Sequence, residues 1–213
     1  MRIVHTYSLV LTGALGLALG LSSVAEAQAR TFTARNDGGS RIQFISDAPL
    51  ETITGVSSHV TGTLTVDPSN LSSARGTIAV RVATIRTGVD LRDEHLRADN
   101  WLDAQRYANA TFEITRVEGA SRLQPNQPAR VQLHGRFSLH GVTRDVVANA
   151  TVRFIPLNDE LRSQRIDGDV IHGQASFRIQ LTDYNVSVPL PVRLKVANEI
   201  RVNVTLRAVA PPS

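Results

Sequence analysis

The stretch VQLHGRFSLHGVTRDVVANATVRF, residues 131–154, decides the fold class of this chain. Apolar residues occupy every second position on both sides of a short Gly-Val-Thr segment at 141–143. Because successive side chains of a strand point to opposite faces, a period of two is typical of a strand with one buried face. Two such runs around a short turn predict an antiparallel hairpin.

The same alternation continues over most of the chain. It predicts further strands at 40–46, 60–66, 76–87, 110–118, 175–181 and 200–206, with irregular loops at 47–58 and 156–173. About eight half-buried strands can form either two packed sheets or one sheet closed as a barrel. Small residues on the inward faces favour a barrel with internal space, although they are also typical of strand crossings in a sandwich. These small residues are Gly62, Gly135, Ala148, Ala150 and Ala175.

One segment, TGVDLRDEHLRADNWL at residues 87–102, departs from this period. Leu91, Ala98 and Leu102 fall on one helical face, which predicts a short amphipathic helix. His95 shares that face. A lone helix in a chain of strands predicts a cover over one open end of the sheet.

The beginning of the chain predicts export. A basic start precedes an apolar run at 3–21 that ends in small residues, which is typical of a secretory signal peptide over residues 1–29, cleaved after Ala27 or Ala29. The run is also long enough for a membrane anchor, but its glycines and its small-residue end favour cleavage. We therefore expect one domain at 30–213, without a further transmembrane segment, in the periplasm or secreted.

Composition excludes several classes of protein. The chain has no cysteine, which excludes a disulfide framework and a thiol nucleophile. Its net charge of +4 comes from arginines spread singly over the polar faces of the predicted strands. A nucleic-acid-binding protein clusters such charges on one face, so we expect no nucleic-acid partner.

Catalysis has little support in the sequence. His134 and His140 lie about 20 Å apart at ~3.4 Å per strand residue, too far to share one metal ion. Asp93 lies close to His95 in sequence, but it is spaced to pair with Arg97 across one helical turn. No nucleophile elbow, zinc motif or phosphate-binding glycine loop is present. We expect no catalytic residue, no metal and no cofactor.

The helical segment and the strands around it resemble the YceI-like family of exported bacterial proteins. The residues that carry the resemblance are Thr-Gly at 87–88, Arg-Asp-Glu-His-Leu at 92–96, Trp-Leu-Asp-Ala at 101–104, Leu-His-Gly-Val-Thr-Arg at 139–144, and the strands at 177–184 and 199–206. This resemblance covers nearly the whole chain after the signal peptide.

The resemblance implies an all-β fold, an eight-stranded antiparallel lipocalin-like barrel with a short helical segment covering one end. It also implies an apolar channel for a polyisoprenoid, a prenyl quinone or a fatty-acyl lipid, and often a homodimer. Departures from the family pattern, in the Asp-Ala-Pro-Leu-Glu-Thr-Ile loop at 47–53 and at 181–185, affect the shape of the channel mouth.

An apolar channel can bind a long lipid through burial alone, since each buried CH₂ contributes about 0.8 kcal/mol. The predicted ligand-binding residues, which an ordinary barrel core would also need, are Val80, Val82, His95, Trp101, Phe112, Leu133, Phe137, Phe154, Phe177, Ile179, Val202 and Val204. His95 is predicted either to meet a lipid head group or to be a buried histidine bonded to backbone. Two functions remain. The first is a periplasmic carrier or store of lipid. The second is an envelope stress or assembly factor that acts by protein contact, for which any bound lipid is incidental.

Overall fold

A computed structural model describes residues 29–211 of the chain. The predicted signal peptide, apart from Ala29, lies outside these described residues. The strands are β1 (Arg30–Ala34), β2 (Arg41–Asp47), β3 (Thr52–Ser57), β4 (Val60–Asp67), β5 (Asn70–Arg81), β6 (Asn109–Gly119), β7 (Pro128–Leu139), β8 (Val142–Ile155), β9 (Asp169–Gln180) and β10 (Glu199–Ala210). The two α-helices are α1 (Asp90–Arg97) and α2 (Asp159–Ser163), and short 3₁₀ helices span Val82–Thr84, Leu181–Tyr184 and Leu190–Val192.

The ten strands form one antiparallel sheet that closes on itself. Neighbours follow the order β1-β4-β5-β6-β7-β8-β9-β10-β2-β3, and β1 pairs back onto β10 through Thr33 and Val209. Two walls of the barrel are each broken into two strands. β1 and β2 both pair with β10 and together form one wall. β4 pairs with β1 and β3 pairs with β2, so β3 and β4 together form the next wall. The barrel therefore has eight walls, and the predicted eight-stranded antiparallel barrel is confirmed.

Register divides the barrel into two halves. The lower half, as we define it, contains β1, β4, the beginning of β5 and the end of β10, and its end carries the Asp67–Asn70 turn and α2. The upper half contains β2, β3 and the beginning of β10, and its end carries α1 and the segment at 181–198. The helical cover predicted for one end thus lies on the upper half.

The lower half is filled with side chains from facing strands. Phe32 and Ala208 are completely buried there, and the rings of Phe32 and Phe154 meet edge to face at 6.4 Å. Arg30 forms an ion pair with the buried carboxylate of Asp169, which also accepts a 2.7 Å hydrogen bond from the backbone N–H of Leu157. These contacts fasten the first strand to the wall formed by β9.

Several predicted boundaries were wrong. β1 was not predicted, because its alternation spans only two inward residues, Phe32 and Ala34. β5 begins six residues before the predicted start at 76 and ends at Arg81, so Val82 lies in a 3₁₀ helix instead of a strand. The predicted loop at 156–173 contains α2 and the first five residues of β9.

Candidate functional site

An apolar cavity of about 500 Å³ occupies the upper half of the barrel. Inward side chains of β2, β3 and β5–β10 form its wall, and α1 with the segment at 186–196 surrounds its mouth. The volume falls within the ~300–1,000 Å³ range of small-molecule sites. Almost all of the lining is hydrocarbon, so the cavity suits a ligand that is itself mostly apolar.

Ten of the twelve residues predicted to bind ligand line this cavity. Strand alternation placed eight of them on the inner wall, and the helical segment supplied the other two. They are Val80, His95, Trp101, Phe112, Leu133, Phe137, Phe177, Ile179, Val202 and Val204.

The other two predicted residues, Val82 and Phe154, do not line the cavity. Val82 is buried in the 3₁₀ helix that follows β5, where its backbone N–H donates to the carbonyl of Ala108 at 2.9 Å. Phe154 faces inward as predicted, but it lies in the lower half against Phe32. Phe154 thus lies too far along the barrel axis to reach the cavity, whereas Val82 lies beyond the end of its strand.

Aromatic rings form one side of the cavity. Phe177 lies 5.7 Å from Phe112 and 5.2 Å from Phe137, and Phe137 meets Tyr184 at 5.6 Å. Burial raises the pKa of Tyr184 to about 12, so its phenol stays neutral beneath this cluster. Such rings give a rigid apolar surface against which a prenyl or acyl chain can pack.

The small inward residues act in two different ways. Ala148 and Ala175 line the cavity and leave room in it, as the sequence predicts. Gly135 instead accommodates an aromatic neighbour, since a Cβ placed on it would lie 2.6 Å from the ring of Phe112. The same Cβ would lie 2.5 Å from the backbone oxygen of Glu113, so the glycine permits close contact with β6 and does not itself widen the cavity.

Polar lining residues gather at the mouth. They are Ser46, Glu51, Thr87, Arg92, His95 and Lys195. The guanidinium of Arg92 donates to Glu51 at 2.6 Å and to the hydroxyl of Thr87 at 2.9 Å. This arrangement, with a few polar groups around the entrance to an apolar interior, is typical of a site for an amphipathic ligand.

Asp93 holds the segment before α1 in place. The prediction that Asp93 pairs with Arg97 was wrong. The carboxylate is buried and accepts hydrogen bonds from the backbone N–H and the hydroxyl of Thr87, at 2.7 and 2.6 Å. Burial alone would raise the pKa of Asp93, but these hydrogen bonds and the nearby charges of Arg86 and Arg97 lower it overall. The carboxylate thereby fixes where the helix begins over the mouth.

His95 lies at the mouth of the cavity, and its side chain is exposed. The alternative of a buried histidine bonded to backbone was therefore wrong. The predicted apolar helical face is also only partly correct. Leu91 is 61% exposed, and the helix ends at Arg97, so Ala98 and Leu102 follow it in a turn.

Sequence reasoning missed the part of the wall formed by β2, β3 and the segment at 186–196. Ile42 and Phe44 had a usable signal, because they alternate within a strand that was predicted. Val192 and Lys195 had none, since prolines interrupt their segment and it follows no period.

Two further histidines, His134 and His140, have partners away from the cavity. His134 contacts Glu118 at 2.8 Å on the outer wall, and the Nδ1 atom of His140 contacts the carbonyl of Tyr184 at 3.1 Å. Among residues 29–211, no group of three or more His, Cys, Asp or Glu side chains could hold a metal ion. In the same range no helix is both long and apolar enough to cross a membrane.

A closed antiparallel barrel with an apolar interior and a helical cover defines a protein of the lipocalin-like class. The chain belongs to the YceI-like domain family, whose model matches residues 35–208. The resemblance noted in the sequence is thus confirmed. A UPF0312 protein of Vibrio parahaemolyticus is 24% identical over 177 residues, which cover 82% of this chain and 87% of that relative. A UPF0312 protein of Pseudomonas fluorescens is 31% identical over 107 residues, which cover 50% and 54%.

Solved structures share the fold at low sequence identity. One is a polyisoprenoid binding domain from Saccharophagus degradans, implicated in plant cell wall breakdown. It matches with a TM-score of 0.65 at 16% identity, and the match covers 86% of this chain and 100% of that one. BcnA from Burkholderia cenocepacia matches with a TM-score of 0.61 at 18% identity, covering 80% and 96%.

Proposed function

We propose that this protein binds a polyisoprenoid, a prenyl quinone or a fatty-acyl lipid in the cavity of the upper half, as a carrier or store. The observation that carries the proposal is a cavity of about 500 Å³ with an almost wholly hydrocarbon lining and polar groups at its mouth. The polyisoprenoid binding named for the Saccharophagus degradans relative supports the same class of ligand.

The energetics of the site suit a long apolar chain. Each CH₂ withdrawn from water contributes about 0.8 kcal/mol, so ten buried groups supply roughly 8 kcal/mol before the costs of ordering the lipid. The aromatic side formed by Phe112, Phe137 and Phe177 is fixed by ring-to-ring contacts in the protein itself. Because that wall is already formed, little binding energy is lost in arranging it.

The same proposal describes a binding protein instead of an enzyme. It acts in the periplasm or outside the cell, where the predicted signal peptide would deliver it, and it works as a monomer or a homodimer. The bound lipid takes the place of any cofactor.

Native mass spectrometry and solvent extraction of the protein purified from its own host test the proposal. We expect a co-purifying lipid, and a rise in melting temperature when prenyl quinones or fatty acids are added to delipidated protein. An empty cavity, together with no thermal response to either ligand class, would overturn the proposal.

A pair of substitutions locates the bound lipid. Phe137→Asp places a carboxylate in the apolar wall and should abolish either lipid retention or folding. Arg136→Asp changes the next residue, which faces outward and pairs with Glu113 at 2.8 Å, and it should leave both unchanged. If both variants lose lipid equally, the ligand does not lie inside the barrel.

A further inference from the structure

Most of the exposed large apolar side chains lie at one end of the barrel. Among residues 29–211, six such side chains are exposed, and five of them surround the mouth of the cavity. We call these five the rim: Leu50 (69% exposed), Val89 (48%), Leu91 (61%), Leu190 (76%) and Leu194 (57%). The sixth, Val147, is 47% exposed and lies on the outer face of β8.

Contacts place the rim residues together around the opening. Val89 and Leu91 belong both to the rim and to the cavity lining. The backbone N–H of Leu50 donates to the carbonyl of Leu194 at 2.8 Å, which joins the loop after β2 to the segment that follows β9. Leu190 stands between two lining residues of that same segment, at 189 and 192. The rim is therefore continuous with the interior of the cavity.

Charge is distributed unequally around the rim. The segment at 186–197 contains two basic residues, Arg193 and Lys195, both exposed, and no acidic residue. By contrast, α1 exposes Asp90 and Glu94, while its Arg92 and Arg97 are half-buried. The segment with Leu190 and Leu194 thus combines exposed leucines with positive charge.

We propose that the rim docks on the surface of a lipid bilayer that contains anionic lipid, with the cavity mouth facing the bilayer. An exposed apolar patch bordered by basic side chains gains both from burial in the head-group region and from attraction to anionic lipid. A docked mouth would let an apolar ligand pass between bilayer and cavity without crossing water. The docking itself does not require that the cavity be filled.

Co-sedimentation with vesicles tests the docking. Delipidated full chain is mixed with vesicles of phosphatidylcholine alone, or of phosphatidylcholine with phosphatidylglycerol. We expect binding to both, stronger to the mixed vesicles. Replacing both leucines, Leu190→Ser with Leu194→Ser, should lower the vesicle-bound fraction at least ~10-fold, because each withdrawn leucine contributes burial at the interface. Val147→Ser is the matched control and should leave binding unchanged.

A second pair of substitutions tests the charge. Arg193→Gln with Lys195→Gln should reduce binding to the anionic vesicles several-fold, roughly to the level on neutral vesicles. High salt should have the same effect on the unaltered protein, since salt screens surface charge.

Three outcomes overturn the docking proposal. The first is that the protein binds neither kind of vesicle. The second is that Val147→Ser loses as much vesicle binding as the double leucine variant. The third is that the leucine substitutions abolish self-association in analytical ultracentrifugation and leave vesicle binding unchanged. The last would identify a second copy of the chain as the occupant. Leu190 and Leu194 do not line the cavity, so lipid retention, measured by native mass spectrometry in the Leu190→Ser, Leu194→Ser variant, should be unchanged. Failure of docking is therefore distinguishable from failure of the cavity to bind lipid.

Discussion

The lower and upper halves of the barrel are lined by similar apolar side chains, yet the lower half is solid and the upper half is hollow. In the lower half, Phe32 meets Phe154 across the interior at 6.4 Å. In the upper half, Phe112, Phe137 and Phe177 contact one another along one side and leave about 500 Å³ open. Hydrophobicity of the inner face therefore does not decide whether a barrel contains a cavity.

Strand pairing changes along the barrel. β4 pairs with β5 up to Val60 and Val80, and Val80 already lines the cavity. Above Val80, an isolated bridge between Val56 and Arg86 joins β3 to the chain that follows β5. Inward residues at the level of the cavity include the short Ala148 and Ala175, so the facing side chains leave space between them.

The largest test of this comparison replaces one ring in each half. Phe32→Ala should cost about 3–5 kcal/mol of unfolding free energy, because Phe32 is completely buried and leaves a void. Phe112→Ala should cost clearly less, since Phe112 borders an existing cavity. Urea unfolding of delipidated protein measures both, and equal losses would show that the upper half is packed as tightly as the lower half.

A smaller effect is expected from adding volume. Ala208→Leu should cost about 1–3 kcal/mol, because Ala208 is completely buried in the lower half and a larger side chain has no room. Ala175→Leu extends into the cavity and should leave stability nearly unchanged while reducing the amount of lipid bound per protein. A stable Ala208→Leu protein, or a destabilised Ala175→Leu protein, would reverse the assignment of the two halves.

The smallest effect concerns the cover of the upper half. Asp93→Asn weakens the bonds to Thr87 and should cost about 1 kcal/mol at neutral pH. Since the folded-state pKa of Asp93 is lowered from 3.8, its carboxylate stabilises the protein above that pH, and this contribution is lost as the pH falls below it. The difference in unfolding free energy between Asp93→Asn and the unaltered protein should therefore narrow toward pH 3.

Hydrogen exchange locates the effect of Asp93→Asn. Backbone amides at 87–97 should exchange faster in the variant, and those of β1 should exchange at an unchanged rate. Faster exchange in both would mean that the helical cover also supports the lower half.

Alternation in the sequence predicted which way each side chain faces but not how high it lies along the barrel. Phe154 and Phe177 follow the same period of two, yet Phe154 belongs to the solid half and Phe177 to the hollow half. Height depends on register between strands that are distant in sequence, and no local pattern encodes it. Eight of the ten strand residues predicted to bind ligand line the cavity, whereas Phe154 lies in the lower half and Val82 lies beyond the end of β5.

The mouth was harder to predict than the wall. α1 was recognised from its period, but the side chain that it buries is Asp93, because a carboxylate can be buried when nearby hydrogen-bond donors satisfy it. The segment at 186–196 follows no period and contains prolines, so its part in the lining depends on tertiary contacts alone.

The pairing of β10 with β1 and β2 also determines when the cavity comes into existence. The backbone N–H of Arg207 donates to the hydroxyl of Ser40 at 3.0 Å, and these residues are 167 positions apart in sequence. Contacts at such separation form slowly, because a long loop of chain must be ordered before they can stabilise it. Until they form, the inner face of the sheet remains open to water and its edge strands can pair with other chains. We therefore expect closure of this seam to be a late folding step, which separates an open sheet prone to aggregation from a closed barrel with an internal cavity.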